Sequence, residues 1–163
     1  MSMSGRLSGI ARHDRPRGPM QTVQHVQVTR QSGIADDCRG PAREGKAPRR
    51  QISLIEAESW AAALADLRAD AEADFGGDIA WSERRANLLV EGIRLPRRAG
   101  AIIAIGPSLR IETTMECDPC SRMEELQPGL RAALTPDWRG GVLGRVIADG
   151  EIAVGDSVTI VEE

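Results

Sequence analysis

Short apolar runs, each closed by glycine, proline or a polar turn, constrain this chain more than any other feature. They are Leu7–Ala11, Thr22–Thr29, Ile52–Ile55, Asn87–Val90, Ala101–Ile105 and Leu109–Met115, then Gly141–Ile147, Glu151–Val154 and Ser157–Val161. Runs this short and rich in Val, Ile and Thr read as β-strands. Gly106-Pro107, Asp149-Gly150 and Gly155-Asp156 supply turns, and Asp149-Gly150 predicts a two-residue hairpin. Helical periodicity is confined to two places. Trp60, Leu64, Leu67 and Ala71 share one face of a helix expected over Ala57–Ala71, stopped by Gly76-Gly77. Met123, Leu126, Leu130 and Leu134 recur at helical spacing, but Pro128-Gly129 splits them into two short helices.

Strands and helices do not alternate regularly, so a doubly wound parallel sheet is excluded. About eight short strands manage their edges best by closing on themselves. The expected fold is mainly β, a closed or nearly closed barrel with two or three flanking helices. The chain of 163 residues suits one domain, 1–163, with residues 1–6 as a flexible tail. Residues 31–50 hold Gly33, Gly40, Pro41, Gly45 and Pro48 among four arginines and read as a long, mobile or functional loop. The barrel core must be aliphatic, because Phe75, Trp60, Trp81 and Trp138 are the only aromatics.

The net charge of -3 gives no overall positive field, so a nucleic-acid partner is not expected. Twenty of the twenty-one basic residues are Arg, with Lys46 alone, a ratio that genomic codon bias explains. No run approaches a membrane span, and the Arg-rich start lacks the apolar centre of a signal peptide. Three cysteines, an odd number, fit a reducing compartment, and a cytoplasmic location follows as the default.

Chemistry concentrates on Cys117-Asp118-Pro119-Cys120, a proline-stiffened turn following the strand Leu109–Met115. A structural zinc site needs four ligands, and only Cys38, His13 and His25 remain to complete one. A thioredoxin-type redox pair expects a βαβ context that is absent. A single-cysteine soft-metal or sulfur-carrying site needs no second pair, and two inert, half-buried thiols satisfy the same spacing. Arg85 and Asn87, two apart on an extended segment, would point the same way and could grip a phosphate, or be a surface arginine beside a capping asparagine. Arg139-Gly140-Gly141 could form an anion-binding concavity, or simply turn the chain into the next strand. Asp36-Asp37-Cys38-Arg39 offers paired carboxylates and a third thiol beside an arginine.

Each feature alone is generic; their order along the chain is not. The order resembles the MOSC family, named after the C-terminal domain of molybdenum cofactor sulfurase. It runs from Gly33-Ile34 and Asp37 through Arg50–Ile55 and Arg85-Ala86-Asn87-Leu88 to Gly106-Pro107-Ser108. It continues through Asp118-Pro119-Cys120 to Arg139-Gly140-Gly141, Gly150 and Gly155–Val158. The resemblance implies a barrel fold and a role in molybdenum-pterin chemistry. By that resemblance Cys120 is the metal-ligating thiolate, and Arg85 and Asn87 hold the phosphate side of molybdopterin. Asp118 borders the cofactor, and Arg139 adds a second positive charge. Family members include reductases of N-hydroxylated compounds and sulfur carriers holding a persulfide. The family as a whole also carries an association with pyridoxal phosphate. A reductase here would need a separate electron-transfer protein, and a carrier a separate cysteine desulfurase. A non-catalytic binding or scaffold domain is the third reading. The acidic loop departs from the common Gly-Asp then His pattern, with Asp36 at the glycine's place and Arg39 near the histidine's.

Overall fold

β1 (Ser4–Arg12) pairs along one edge with β6 (Leu88–Glu91), while its other edge is shared by two strands. The first half of that edge takes β11 (Ser157–Val161), with Ser4 opposite Thr159 and Arg6 opposite Ser157. The second half takes β2 (Gln21–Val23), with Ile10 opposite Val23. The β1–β11 pairing closes the sheet. In this computed structural model, which describes residues 4–46 and 48–161, the barrel runs β1-β11-β7-β8-β9-β5-β6 and back to β1. The remaining staves are β5 (Ile52–Glu56), β7 (Ile102–Ile105), β8 (Leu109–Glu116) and β9 (Val142–Ala148). A separate sheet of β10 (Gly150–Ala153), β3 (His25–Thr29) and β4 (Gly33–Ile34) packs beside it.

The closed barrel is therefore the fold. Its interior is aliphatic, as the scarcity of aromatics requires. Leu7, Ile52, Leu54, Leu88, Ile103, Leu109 and Ile111 are fully buried, and Val26, Val28 and Ile152 of the smaller sheet join them. Burying such side chains contributes roughly 1.5–3 kcal/mol each. Among the described pairings only β5–β6 is parallel. Parallel neighbours need a long crossover, which α1 (Ala57–Ala69) provides. α1 packs on the barrel exterior with α2 (Ser121–Leu126) and α3 (Leu130–Leu134). Trp60, Leu64, Leu67, Met123, Leu130 and Leu134 form that second core with Ile55 and Ala86. No described helix is long and apolar enough to cross a membrane.

Several sequence expectations are corrected. Residues 4–6 of the expected tail are strand, because β11 pairs with all three and β6 joins at Arg6; residues 1–3 lie outside the described residues. The run Thr22–Thr29 is two strands in different sheets, parted at Gln24, whose carbonyl accepts the Val154 N–H at 2.9 Å. Asp149-Gly150 makes no hairpin. β9 stays in the barrel while β10 pairs with β3, and Asp149 Oδ1 accepts the Arg30 N–H at 2.7 Å across the step. α1 ends at Ala69, short of Ala71 and well before the glycines. Asp70 leaves the helix and its carboxylate accepts the Glu72 N–H at 3.0 Å, a local turn that competes with helix. The 31–50 segment includes β4 and is not wholly a loop.

Gly141, at the start of β9, has a positive φ of 106°, and a Cβ there would lie 2.1 Å from the Leu54 carbonyl oxygen of β5. Gly141→Ala should therefore lose about 3 kcal/mol or more of stability in urea unfolding. A loss below about 0.5 kcal/mol would mean the wall yields there at no cost.

Candidate functional site

The site is organised by a buried arginine that the chain reaches through a 3₁₀ turn, Trp81–Arg84. Arg84 is 6% exposed and turns inward. Its Nε and Nη2 donate to the Gly140 carbonyl at 3.2 and 2.9 Å, and Nη2 also donates to the Cys117 carbonyl at 2.8 Å. The same nitrogen lies 3.3 Å from Cys117 Sγ. The guanidinium's planar fork can meet two backbone segments at once, which an ammonium cannot do with the same geometry. The Cys117 N–H completes the clamp by donating to the Gly141 carbonyl at 2.9 Å.

Gly140 shows why the Arg-Gly-Gly run is built as it is. A Cβ at Gly140 would lie 2.4 Å from the Cys117 carbonyl oxygen and 3.2 Å from Pro119 Cδ. Gly140 lets the Cys117–Cys120 turn pack closely on the chain, while Gly141 gives room to the Leu54 carbonyl of β5. Their carbonyls receive hydrogen bonds, which is not how an anion nest works. The clamp also separates the two thiols. Cys117 is partly buried against Arg84, whereas Cys120 is exposed immediately before α2.

Arg85 follows Arg84 with φ 70°, a left-handed conformation. That one residue breaks the extended alternation on which a shared Arg85 and Asn87 face depended. Asn87 is 5% exposed and committed to the barrel wall. Its Oδ1 accepts the Ser53 N–H at 3.0 Å and the Ser53 hydroxyl at 3.2 Å, and its Nδ2 donates to the Ala11 carbonyl at 3.1 Å. It ties β1 to β5 through both ends of its amide. Arg139 also lies apart from the cluster around Arg85. Its Nη1 pairs with Asp66 of α1 at 2.7 Å and donates to the Ala133 carbonyl of α3 at 2.9 Å.

Arg85 is accompanied by two arginines that sequence reasoning did not gather. Its guanidinium is pulled down in pKa first by burial and then by Arg122 and Arg39, with Glu83 and Cys38 opposing. Arg122 lies two residues beyond Cys120 in α2, and Arg39 lies in the loop after β4. Among the described residues no carboxylate forms an ion pair with any of the three. His13, just after β1, shares this surrounding and is 5% exposed. Cys38 is tied to it through its N–H, which donates to the His13 carbonyl at 2.8 Å. The signals for this grouping lie in four segments, so only the fold could collect them.

Asp118 is exposed on the turn. Its neighbour Glu116 is pushed up in pKa by burial, then by the charge of Asp118 and a hydrogen bond with it. The two carboxyls flank Cys117 and interact with one another across it. Among the described residues no group of three or more His, Cys, Asp and Glu side chains could hold a metal on its own, so the zinc reading finds no site there.

Replacing Arg84 by Met keeps the bulk and removes the clamp. Arg84→Met should cost about 3 kcal/mol, because the Gly140 and Cys117 carbonyls lose charge-assisted donors. It should also raise the alkylation rate of Cys117 in the folded protein. An unchanged rate, read by peptide mass spectrometry, would show that Arg84 does not shield that thiol.

The architecture has known counterparts. The YuaD protein from Bacillus subtilis superposes with a TM-score of 0.74 at 20% identity, covering 96% of this chain and 95% of that one. YiiM from Escherichia coli gives 0.62 at 16% identity, covering 97% and 70%. YiiM from Geobacillus stearothermophilus gives 0.61 at 18%, covering 97% and 73%. At these identities the likeness is one of fold. No curated protein matches the chain in sequence. The model of the MOSC domain matches residues 41–159, which takes in Arg85, the Cys117–Cys120 turn and the Arg-Gly-Gly contact beneath it. The chain belongs to the MOSC domain family.

Proposed function

We propose that this domain binds the molybdenum cofactor, with Cys120 as the thiolate ligand of the metal and Arg85, Arg39 and Arg122 around the cofactor's phosphate. The observation that carries the reading is the meeting of three arginines, without an ion-paired carboxylate among the described residues, beside the turn that exposes Cys120. Unpaired like charges repel, so a cluster of this kind favours a multiply charged anion. The donor set fits the group in a second way: an exposed thiol is a soft ligand, suited to a soft metal centre. Asn87 and Arg139, expected from the family resemblance to take part, are replaced in this proposal by Arg39 and Arg122.

When bound, the cofactor supplies two-electron oxygen-transfer chemistry at the metal. The chain's own part is to hold and orient. Arg84 and Gly140 fix the turn, so the Cys120 thiolate is presented from a rigid rim and not from a mobile loop. The arginines anchor the anionic end through charge-assisted hydrogen bonds. Reduction of an N-hydroxylated compound consumes two electrons and two protons and releases water. The electrons would come from a separate electron-transfer protein. The exposure of Cys120 also suits a persulfide, and the second reading is a sulfur carrier loaded by a cysteine desulfurase.

Protein made in a host that synthesises the cofactor should carry molybdenum and pterin together. Cys120→Ser should lose the molybdenum, and Arg85→Ala should weaken cofactor retention about tenfold. Asn87→Ala and Arg139→Ala should keep normal loading per folded molecule. Equal molybdenum in wild type and Cys120→Ser would overturn the ligand assignment. An adduct of about 32 Da on Cys120 after treatment with a desulfurase, with no bound metal, would instead support the carrier.

A further inference from the structure

His13 and Asp37 are buried side by side, and neither is used by the reading above. Their side chains are 7% and 1% exposed. Asp37 Oδ1 accepts the His13 backbone N–H at 3.1 Å, and His13 Nδ1 stands 3.5 Å from the same oxygen, too far for a good hydrogen bond. His13 Nδ1 and Asp37 Oδ2 are both buried without a hydrogen-bond partner. Two orphaned polar atoms in one buried pair are uncommon and costly. Around them stand Arg39 from the same loop as Asp37, Arg85 from the segment before β6, and Arg122 from α2. These, with Asp37, are the charged groups that bear on the imidazole.

We propose that His13 is the proton-accepting partner of an oxyanion held by Arg39, Arg85 and Arg122, so that the anion and one proton bind together. The proposal rests on the anion-holding role assigned above to those arginines. Its physical basis is the balance of charge around the imidazole. Without the anion, burial lowers the His13 pKa, the three arginines lower it further, and Asp37 only partly opposes them. The ring is then held neutral. A dianion between the arginines cancels their repulsion and adds attraction of its own, and Asp37 becomes the counter-ion of an imidazolium. The ring's pKa therefore rises on binding. By linkage, whatever raises that pKa binds more tightly as the pH falls through the window between its free and bound values. His13 thus acts on the ligand's affinity by position and charge.

Sulfate is the suitable probe, because it does not itself titrate near neutrality. Calorimetric titration with sulfate of the full chain made in a host without the cofactor, in buffers of different ionisation enthalpy, counts protons taken up. The expected result is about one proton per sulfate, with affinity falling about tenfold per pH unit across the window. The His13 ring signal in NMR should move to the imidazolium position on saturation, with the exposed His25 as internal reference. H13Q should bind sulfate with no proton uptake, and Arg85→Ala should lose the binding. The NMR readout on wild type keeps the test sound if H13Q fails to fold. Absence of proton uptake overturns the proposal, whether sulfate binds without it or does not bind at all. The metal content of protein purified from a cofactor-competent host separates the two readings. Sulfate-linked protonation without molybdenum sinks only the cofactor assignment, and molybdenum without sulfate-linked protonation sinks only the role of His13.

Discussion

The buried guanidinium of Arg84 ties the segment before β6 to the rim where β8 ends and β9 begins. Its acceptors, the Cys117 and Gly140 carbonyls, lie 33 and 56 residues away. A buried cation without a carboxylate partner is costly unless its donors are well met. Here backbone carbonyl dipoles meet it, and the rim of the barrel is the only place where they converge. The separation of the two thiols, the close seat of their turn and the position of α2 all follow from that contact. Arg122 reaches the cluster around Arg85 because α2 begins immediately after the turn that Arg84 holds.

Most of the barrel is legible in the sequence, because alternation and glycine placement are local signals. The β5 run, the aliphatic interior and the split of the last helical stretch at Pro128-Gly129 are read correctly for that reason. Strand partners are not local. Asp149-Gly150 has the composition of a hairpin turn, yet β10 belongs to another sheet, since the partner of a strand depends on what packs across the core. Gln24 looks like any strand residue, yet the chain changes sheets there.

The site is legible in kind and only partly in its members. Cys120 and Arg85 stand out by order along the chain; Cys120 is exposed before α2, and Arg85 feels the charges of Arg122 and Arg39. Asn87 does not share a face with Arg85, because that one left-handed residue breaks the alternation an extended chain implies. Arg139 is drawn to Asp66, more than seventy residues away. His13, Arg39 and Arg122 carry no sequence signal that groups them with Arg85, since they come from separate segments. A chain with net negative charge thus keeps a concentrated positive field at one point, through geometry and not through composition.

The shared edge of β1 has a kinetic consequence. Its opening residues wait for β11, whose partners lie about a hundred and fifty residues later in the chain. Without β11, the first half of β1 would present unpaired backbone groups along the edge that faces it. Such an edge is a template for a second chain as readily as for its own last strand. The closing strand therefore protects the molecule from exchange with its neighbours as well as completing it, and the interval before it docks is when the protein is most exposed to swapping and aggregation.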